Sequence, residues 1–596
     1  MGANDAVSVS AVESQAQPPT RFRALLLKAT RLGRVEVQGI APIPREERTV
    51  ERTCNVFTLW WCMNANLLPI SFGMLGPAYG LGLRDCALVI LFFTLVTTIP
   101  PAYLSTWGPK TGMRQMIQGR FSFGRYFIAI PVVLNLVSLV GFCVIMAVLG
   151  GQCLAAVSAD GSLSAAVGIV IIALLSLVIS FCGFNVLHIY ERFACVPALV
   201  AITVATGTCA SGLRQQAAAP PATAQAVLSF GMTVAAYMMP WACLASDFTT
   251  YFDPETPSRT IFVYAYLGSA VPTILLMTLG AAIQGAVAAN AAWADAYAAN
   301  QVGGVLGAML APAGGLGRLL LAVLAFTLLG NMASTWYSAA LNLQMLVPAR
   351  ARVPRAVFAV VLTAAVVPVA LRAAADFLAS LADFVALLAY WSSAFLGVVL
   401  AEHRVFRGAD CAAYDPAAWD DPGRLPPGVA ALAAAAGCMA LVVPSIAQVW
   451  YTGPIAARTG DLGFEVAFVL AALLLKIIKM VKDNETVIQE FNSLVNMTAD
   501  ELSDWLQTEA SSGSGWSKDD GSGETVGHDS GRRIIAILEK NPQKEASNYD
   551  EDDIAHMRKV VAYCKRHLAQ EEKAKQDTES KSYKSLKNWG HDAQKA

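Results

Sequence analysis

Long apolar stretches follow one another through most of this sequence, and they constrain its fold more than any other feature. A helix that crosses a bilayer needs roughly 20 mostly apolar residues, because each residue adds about 1.5 Å along the helix axis. Twelve windows meet that requirement, so we predict an all-α polytopic membrane protein and name the windows spans one to twelve. Their predicted bounds are 55–79, 86–104, 127–149, 163–183, 193–210, 226–246, 261–284, 318–346, 354–371, 377–401, 428–449 and 462–480.

Composition separates this apolar part of the chain from its two ends. Charged residues make up only 15% of the chain, whereas soluble proteins carry about 25%. Residues 481–596 differ from the rest, with 16 Lys/Arg, 22 Asp/Glu and a net charge of −6. We therefore predict a cytosolic N-terminal arm over 1–53, a transmembrane domain over 54–480 and a small soluble helical module over 481–596. Because the arm has no early apolar segment, the first span is expected to direct membrane insertion.

Basic residues in the short connecting loops predict the orientation of the spans. The loop 105–125 between spans two and three contains four Lys/Arg and no acid, and further Arg residues follow spans eight and ten. Positive residues concentrate on the cytosolic side of membrane proteins. These loops and the basic N-terminal arm share one side if the chain starts inside. Both termini are therefore expected in the cytosol, with the plasma membrane as the expected location.

Spans one and six contain residues that interrupt an ordinary helix. Span one includes Pro69, Gly73, Gly76 and Pro77, and span six has Pro240 in its middle. An interrupted helix frees backbone N–H and C=O groups, which lipid cannot satisfy but a cavity can. Two such spans at corresponding positions of two halves indicate the inverted repeats of a secondary transporter, with its substrate site at the breaks. Ordinary proline kinks without a ligand are the alternative.

A series of motifs resembles the fungal branch of the purine–cytosine permease family, the nucleobase–cation symporters, over about residues 36–475. The motifs occur in family order: "GMLGPAYGLGLRD", "PPAYLSTWGPKTGMRQMIQGRFSFGRY", "FCGFNVLHIYER", "PWACLASDFTTYF", "YWSSAFLGVVLAEHRVFR" and "WYTGPIAARTGDLGFE". The resemblance implies twelve spans, a five-plus-five inverted repeat with broken helices one and six, and cation-coupled uptake of a flat heterocycle. In fungi the resemblance implies a proton as the usual coupling ion.

Candidate substrate-binding residues follow from this resemblance and from the polar residues of span one. They are Trp241, Phe142, Met146, Asn331, Thr335, Asn64 and Ser71. A planar base needs an aromatic stacking surface and amides that read its donor–acceptor edge. Phe142 takes the place of a family Trp, whereas Met146, Met332 and Thr335 take the places of family amides. The lost amides predict a changed substrate, either another nucleobase-like heterocycle or, as the alternative, vitamin B6 (pyridoxine).

Two acidic residues within the spans are candidates for coupling or gating. Asp247 matches an Asp of the family near the predicted cytosolic end of span six, where a structural or gating role and a coupling role are both open. Asp383 lies early in span ten, either as a functional intramembrane acid or at the membrane interface. No cofactor is expected besides a co-transported proton, and no metal site is predicted. No nucleophile–base arrangement indicates an enzyme.

The segment 482–592 resembles a small domain family of unknown function that is sometimes labelled DNA-binding. The resemblance is carried by "LVNMTADELSDWL", "GWSKDDG", "ETVGHDSGRRIIAILEK" and "NWGHD". The negative charge of the module opposes attraction to phosphate, so nucleic acid is not expected as a partner. Amphipathic patterns predict helices, one of them with Thr498 as its N-cap and Glu501 three residues later. Residues 585–596 are predicted to be irregular.

These patterns together predict a secondary active transporter of a small aromatic heterocycle, which works by alternating access in the lipid bilayer. A second class of function is open, in which a non-transporting receptor or scaffold acts through its C-terminal module. The abrupt change of composition near residue 480 also leads to the hypothesis that two adjacent genes were joined into a fusion protein. A transcript that is interrupted across codons 470–490 would contradict the joined protein.

Overall fold

The computed structural model describes residues 39–158, 162–181, 183–347, 355–512, 525–570, 578 and 580–595. Within these ranges only the backbone is described at 180–181, 183–195, 355–356, 383, 480–483, 512, 566 and 569–570. Most of the predicted N-terminal arm, residues 1–38, lies outside the described residues. The chain divides into two compact units, Met1–Leu475 and Lys476–Ala596.

The first unit is built almost entirely of helices, and each of the twelve predicted spans lies on them. The helices are Cys54–Asn64, Leu67–Gly73, Leu83–Thr97, Ile99–Ser105, Trp107–Thr111, Gln115–Phe127, Ala129–Val157, Ala165–Phe181, Gly183–Thr208, Ala210–Leu213, Ala224–Met238, Ser258–Val287, Ala291–Leu310, Gly314–Phe326, Leu328–Leu346, Arg355–Ala373, Phe377–Ala401, Val429–Gly437, Met439–Val442, Ala456–Thr459 and Gly463–Leu494. Among the described residues, seven helical stretches are long and apolar enough to cross a membrane, and four shorter apolar helices accompany them. The predicted all-α membrane fold is confirmed.

Several short elements join these helices. Turns of 3-10 helix lie at Arg45–Glu47, Gly76–Tyr79, Met239–Cys243, Ala245–Phe248, Ala311–Ala313, Ala374–Asp376, Cys411–Ala413, Pro416–Ala418 and Val443–Ser445, and a π-helical turn lies at Glu402–Phe406. Two antiparallel strands, Ala447–Gln448 and Tyr451–Thr452, form a hairpin. The first strand lies within the predicted end of span eleven, whose helical part stops at Ser445. The helix Ala291–Leu310 precedes span eight and contacts span three. The sequence prediction did not include that helix.

Span three lies at the centre of the first unit. Its helix Ala129–Val157 packs against span four and span eight, and it also contacts spans nine and ten. Large apolar side chains on peripheral helices remain exposed, including Phe92 and Val96 of span two and Leu319 of span eight. Such side chains are satisfied by lipid tails rather than water. The fold therefore presents a buried centre and an apolar outer surface, as a multi-pass membrane protein requires.

Spans one and seven approach so closely that glycine is required where they touch. A Cβ atom on Gly73 would lie 1.9 Å from the carbonyl oxygen of Met277, and one on Gly280 would lie 2.0 Å from that of Ile70. Both distances are far below any van der Waals contact, so a larger residue would force the helices apart. These glycines fix the second half of span one against the long helix Ser258–Val287.

The second unit has its own helices and its own core. Its remaining helices are Ala499–Leu506, Glu509–Ser512, Val526–Lys540, Ala546–Asn548 (a 3-10 turn), Glu551–Gln570 and Lys581–Asn588. The predicted N-cap is confirmed: the Thr498 hydroxyl accepts the Glu501 N–H at 3.2 Å, and the Glu501 carboxylate accepts the Thr498 N–H at 2.9 Å. This reciprocal pair satisfies two N–H groups that a helix start would otherwise leave unpaired.

The prediction that residues 585–596 are irregular is wrong for their first part. The helix Lys581–Asn588 begins at Ser580, whose hydroxyl accepts the Tyr583 N–H at 3.2 Å. Leu586 is fully buried and Trp589 nearly so, and both belong to the core of the unit. Tertiary burial of one helical face outweighs the weak helix propensity of Ser, Tyr and Asn here. A sequence window without its packing partners could not show this.

We predict that a fragment of residues 484–596 unfolds as one cooperative unit. Phe491 has no exposed surface, and it packs in a cluster with Leu502, Ile534 and Leu586. Phe491→Ala is expected to lower the free energy of unfolding by about 3–5 kcal/mol, because it leaves a cavity in that core. Urea titration followed by circular dichroism measures the change. Val526→Ala is the control, since Val526 is 45% exposed and should change stability by less than about 0.5 kcal/mol. A fragment without a cooperative transition would contradict the prediction.

Candidate functional site

Span one is broken at Ala65 and Asn66. The helix Cys54–Asn64 ends there, and Asn66 adopts an extended backbone before the second helix, Leu67–Gly73. The Asn66 side chain satisfies both ends, because its oxygen accepts the Leu68 N–H at 2.9 Å and its amide donates to the Met63 carbonyl at 2.8 Å. Pro69 lies in the first turn of the second helix, where no N–H is needed. The break predicted in span one is confirmed, but Asn66 rather than a proline or glycine defines it.

Span six is broken where the sequence predicted. Its regular helix Ala224–Met238 gives way to a 3-10 turn, Met239–Cys243, with Pro240 in the first turn. A second 3-10 turn, Ala245–Phe248, follows after Leu244. Proline removes one backbone donor and blocks the carbonyl one turn earlier, which ends the regular helix. Trp241 therefore stands in the irregular part of span six.

Beside these breaks, Phe142 lies nearly parallel to an aromatic ring of span six and to one of span one. Phe142 of span three and Trp241 of span six have ring centroids 6.4 Å apart and an interplanar angle of 20°. Phe72 of span one has the same distance and angle to Phe142. Parallel π-faces are the surfaces on which a flat heterocycle stacks. The structure thus brings together the two aromatic residues singled out in the sequence, and adds Phe72.

Asn331 of span eight contacts the break in span one directly. Its amide donates to the Met63 carbonyl at 2.8 Å, and its side-chain oxygen lies 3.3 Å from the Thr335 hydroxyl. That hydroxyl lies closer, at 2.8 Å, to the Asn331 backbone carbonyl one turn earlier. Met146 and Met332 are fully buried. Asn331 therefore joins span eight to span one, and its part in reading a substrate stays a prediction.

Asn64 and Ser71 are both fully buried, and protein groups occupy their hydrogen bonds. The Asn64 amide donates to the Trp60 carbonyl at 2.9 Å, and its oxygen accepts the hydroxyls of Tyr237 at 2.9 Å and Thr273 at 3.3 Å. The Ser71 hydroxyl donates to the Leu68 carbonyl at 2.7 Å. These hydrogen bonds stabilise span one. A contact between either residue and the substrate stays a prediction.

Asp247 lies at the far end of the broken segment of span six and is almost fully buried. One carboxylate oxygen accepts the Gln115 N–H at 2.9 Å, and the other accepts the Ser338 hydroxyl at 3.0 Å. The Arg114 guanidinium donates to the Asp247 backbone carbonyl at 2.6 Å. Asp247 therefore joins the loop after span two, the end of span six and the middle of span eight. The side chain of Asp383 lies outside the described residues.

A second group of aromatic residues links Trp241 to Phe248, the residue that follows Asp247. Trp60 meets Trp241 edge-to-face at a centroid distance of 5.8 Å and meets Phe248 in the same way at 6.1 Å. Phe248 stacks on Tyr337 at 6.5 Å. All of these side chains are buried, so this side of the breaks is closed by ring contacts. The sequence analysis did not select Trp60, although it stands one helical turn before Asn64 and shares its face.

The helix Gln115–Phe127 between spans two and three is held at its start and near its middle. Its start contacts Asp247, while Arg120 near its middle donates to the Asp420 carboxylate at 2.7 Å and to the Trp419 carbonyl at 2.9 Å. The Arg120 side chain is 1% exposed. Burial and the neighbouring Arg125 lower the pKa of Arg120 to about 10, so its guanidinium stays charged at neutral pH. The loop after span ten is thereby fixed to this helix.

Comparison with known proteins gives matches for both units. Residues 42–418 match a family described as permease for cytosine/purines, uracil, thiamine and allantoin, and residues 490–587 match a family of proteins of unknown function. The purine–cytosine permease fcyB of Emericella nidulans is 33% identical over 445 residues, which cover 74% of this chain and 87% of that protein. The vitamin B6 transporter TPN1 of Saccharomyces cerevisiae is 26% identical over 531 residues, covering 77% and 90%.

A solved structure shows the same fold as the first unit. Mhp1, a nucleobase-cation-symport-1 family transporter in a closed conformation with bromovinylhydantoin bound, superposes with a TM-score of 0.57. The similarity covers 75% of this chain and 95% of Mhp1 at 16% sequence identity. The predicted inverted-repeat transporter fold with broken helices one and six is thus confirmed. The similarity extends to the fold, and the arguments about individual site residues use the contacts within this chain.

Proposed function

Since the chain belongs to the purine–cytosine permease family, we propose that it takes up a nucleobase or a related small aromatic heterocycle together with a proton. The protein is a secondary transporter, not an enzyme. The observation that carries the proposal is the nearly parallel arrangement of Phe142 and Trp241 beside the two helix breaks. A flat ring gains stacking contact there, and broken helices at corresponding positions of two halves are typical of a transporter's substrate site.

The gating step of the proposed cycle uses the contacts of Asp247. Loop charges predict that this end of span six faces the cytosol, and in the proposed cycle the Trp60, Phe248 and Tyr337 rings close the cytosolic side of the site. Asp247 stabilises that closure because it bonds to two other elements at once. We assign it to gating and retain Asp383 as the candidate for proton coupling. The plasma membrane, with both termini in the cytosol, is the proposed location.

Competition uptake tests this function. Cells that express the chain should accumulate a radiolabelled heterocycle faster at external pH 5 than at pH 7, because the inward proton gradient drives the symport. A panel of purines, pyrimidines and pyridoxine derivatives then identifies the substrate by competition. A proton ionophore should abolish accumulation against the gradient. If no member of the panel accumulates in a pH-dependent way, the proposed function fails.

Vitamin B6 is the second candidate substrate, and the apolar side chains of the site favour it. Met146 and Met332 are fully buried and offer a nucleobase no amide. Thr335 already donates to the Asn331 carbonyl. The hydroxyl groups of pyridoxine can each donate or accept, whereas cytosine and adenine present a fixed donor–acceptor edge that amides read, so pyridoxine loses less in such a site. Uptake of labelled pyridoxine, with cytosine and adenine as weak competitors, would favour this candidate.

Restoring the amides is predicted to change the substrate preference. Met332→Asn and Thr335→Asn each add a donor and an acceptor beside Asn331, and each good hydrogen bond contributes about 1 kcal/mol. We expect competition by cytosine or adenine to strengthen about fivefold in either variant. Inhibition constants measured against the labelled substrate give the change. Met332→Leu is the control, because it keeps the volume and adds no amide. Unchanged inhibition constants in both amide variants would overturn this map of the site.

A further inference from the structure

We infer that Tyr237 is a positioning residue of the transport site, whose hydroxyl sets the geometry of the break in span one through Asn64. The inference rests on the proposed function and extends it to a residue outside the motifs that carry the family resemblance. Tyr237 is the penultimate residue of the regular helix of span six and stands one turn before Trp241, which lies in the break. Its side chain is fully buried, and its hydroxyl bonds to Asn64, through which it acts on the site.

The hydrogen bonds of Asn64 show how this action is transmitted. The Tyr237 hydroxyl donates to the Asn64 side-chain oxygen at 2.9 Å, and the Thr273 hydroxyl approaches the same oxygen at 3.3 Å. The Asn64 amide in turn donates to the Trp60 carbonyl at 2.9 Å. Asn64 is the last residue of the first half of span one. The Tyr237 hydroxyl therefore fixes Asn64, the residue at which the first helix of span one ends.

The Met63 carbonyl, one residue before Asn64, accepts hydrogen bonds from two other side chains. Asn331 of span eight and Asn66 both donate to the Met63 carbonyl, each at 2.8 Å. A freed carbonyl in an apolar interior needs donors, because leaving it unpaired costs free energy. Spans six, seven and eight thus fix residues 63 and 64 together. Loss of the Tyr237 donor would leave the Asn64 side-chain oxygen with the longer bond from Thr273.

The ring of Tyr237 also supports the aromatic surface. It meets Phe72 edge-to-face at a centroid distance of 4.8 Å and an angle of 67°. Phe72 is the ring that lies nearly parallel to Phe142 on the span-one side. Tyr237 therefore contacts span one on both sides of its break, at Asn64 through the hydroxyl and at Phe72 through the ring. Tyr237→Phe removes only the first of these contacts.

The chain contains a matched control for this substitution. Tyr79, at the outer end of span one, has its hydroxyl 3.0 Å from the Thr233 hydroxyl of span six. Thr233 lies one helical turn before Tyr237 on the same helix. Both tyrosines therefore join spans one and six by one hydroxyl bond, but only Tyr237 reaches the break. Tyr79→Phe therefore measures the effect of losing a hydrogen bond between spans one and six that does not involve the break.

The experiment compares uptake kinetics of the full-length Tyr237→Phe and Tyr79→Phe proteins at equal surface abundance. We expect Tyr237→Phe to raise KM about 3- to 10-fold, the effect of one buried hydrogen bond. Vmax should stay within about twofold, and Tyr79→Phe should leave KM within about twofold. Thr273→Val is then added to Tyr237→Phe. The free-energy change calculated from the KM of the double variant should exceed the sum for the two single variants, since both hydroxyls donate to the same Asn64 oxygen. Equal KM values for the two tyrosine variants would overturn the inference.

A second measurement does not depend on transport. Cys62 is half-buried two residues before Asn64, and its maleimide labelling in the purified protein is followed by mass spectrometry of its peptide. We expect labelling to become at least about threefold faster in Tyr237→Phe, because a loosened break exposes this thiol more often. Tyr79→Phe should label like the unmodified protein. If no heterocycle is transported but labelling differs in this way, the proposed function fails and the positioning role stands. Equal labelling in all three proteins would overturn the positioning role.

Discussion

Trp241→Ala is expected to raise the KM for the transported heterocycle by about 5- to 150-fold. Stacking of a base on an aromatic side chain contributes about 1–3 kcal/mol when measured by alanine substitution, and tenfold in affinity corresponds to about 1.4 kcal/mol. Trp241 supplies one of the two nearly parallel faces beside the breaks, with Phe142 6.4 Å away. Initial uptake rates over a range of substrate concentrations measure the effect.

Trp241→Phe is the matched control for this variant. A phenyl ring keeps a π-face in the same position, so KM should rise by less than about fivefold. Trp107→Phe tests whether loss of any buried indole has the same effect, because Trp107 is as deeply buried in a different part of the unit. KM should not change in Trp107→Phe. If Trp241→Ala keeps the KM of the unmodified protein at normal surface abundance, the substrate does not stack on Trp241.

Asp247→Ala is expected to lower Vmax by about 10- to 100-fold while KM changes little. The substitution leaves the Gln115 N–H and the Ser338 hydroxyl without the carboxylate that accepts their hydrogen bonds. Hydrogen bonds to a charged group contribute about 1.5–3 kcal/mol, and each 1.36 kcal/mol changes a rate tenfold. The two bonds tie the end of span six to the helix Gln115–Phe127 and to span eight. Loss of Asp247 should therefore impair closure of the cytosolic side rather than substrate affinity.

Two further variants test whether Asp247 acts by holding the cytosolic side closed. Asp247→Asn keeps one acceptor at the same position, so Vmax should be intermediate. Phe248→Cys places a thiol in the closed ring layer, and its labelling by a reagent supplied from the cytosolic side should accelerate when Asp247→Ala is added. Asp420→Ala removes the ion pairs with Arg120 and Arg125 farther along the same helix and serves as the control for general loosening of these loops. Equal labelling with and without Asp247→Ala would contradict the gating role.

Apolar run length was sufficient to predict where most helices of the first unit lie. Lipid cannot satisfy an unpaired backbone, so an apolar run of about 20 residues in a membrane has to be helical whatever its neighbours are. Proline and glycine in spans one and six indicated the two breaks for a similarly local reason. The exact position of the first break differed, because Asn66 satisfies backbone groups with its own side chain. The helix Lys581–Asn588 needed burial of Leu586 against other helices.

The long apolar spans and the family motifs by themselves determined the fold class, the two broken helices and the aromatic residues Phe142 and Trp241. Those features depend on local periodicity and on residue type, which a sequence contains directly. Only the tertiary structure decided how the polar residues are used. It placed Asn64 against Tyr237, 173 positions away, and Asp247 against Ser338, 91 positions away. A buried polar side chain needs a partner, but which partner it finds depends on how distant helices pack.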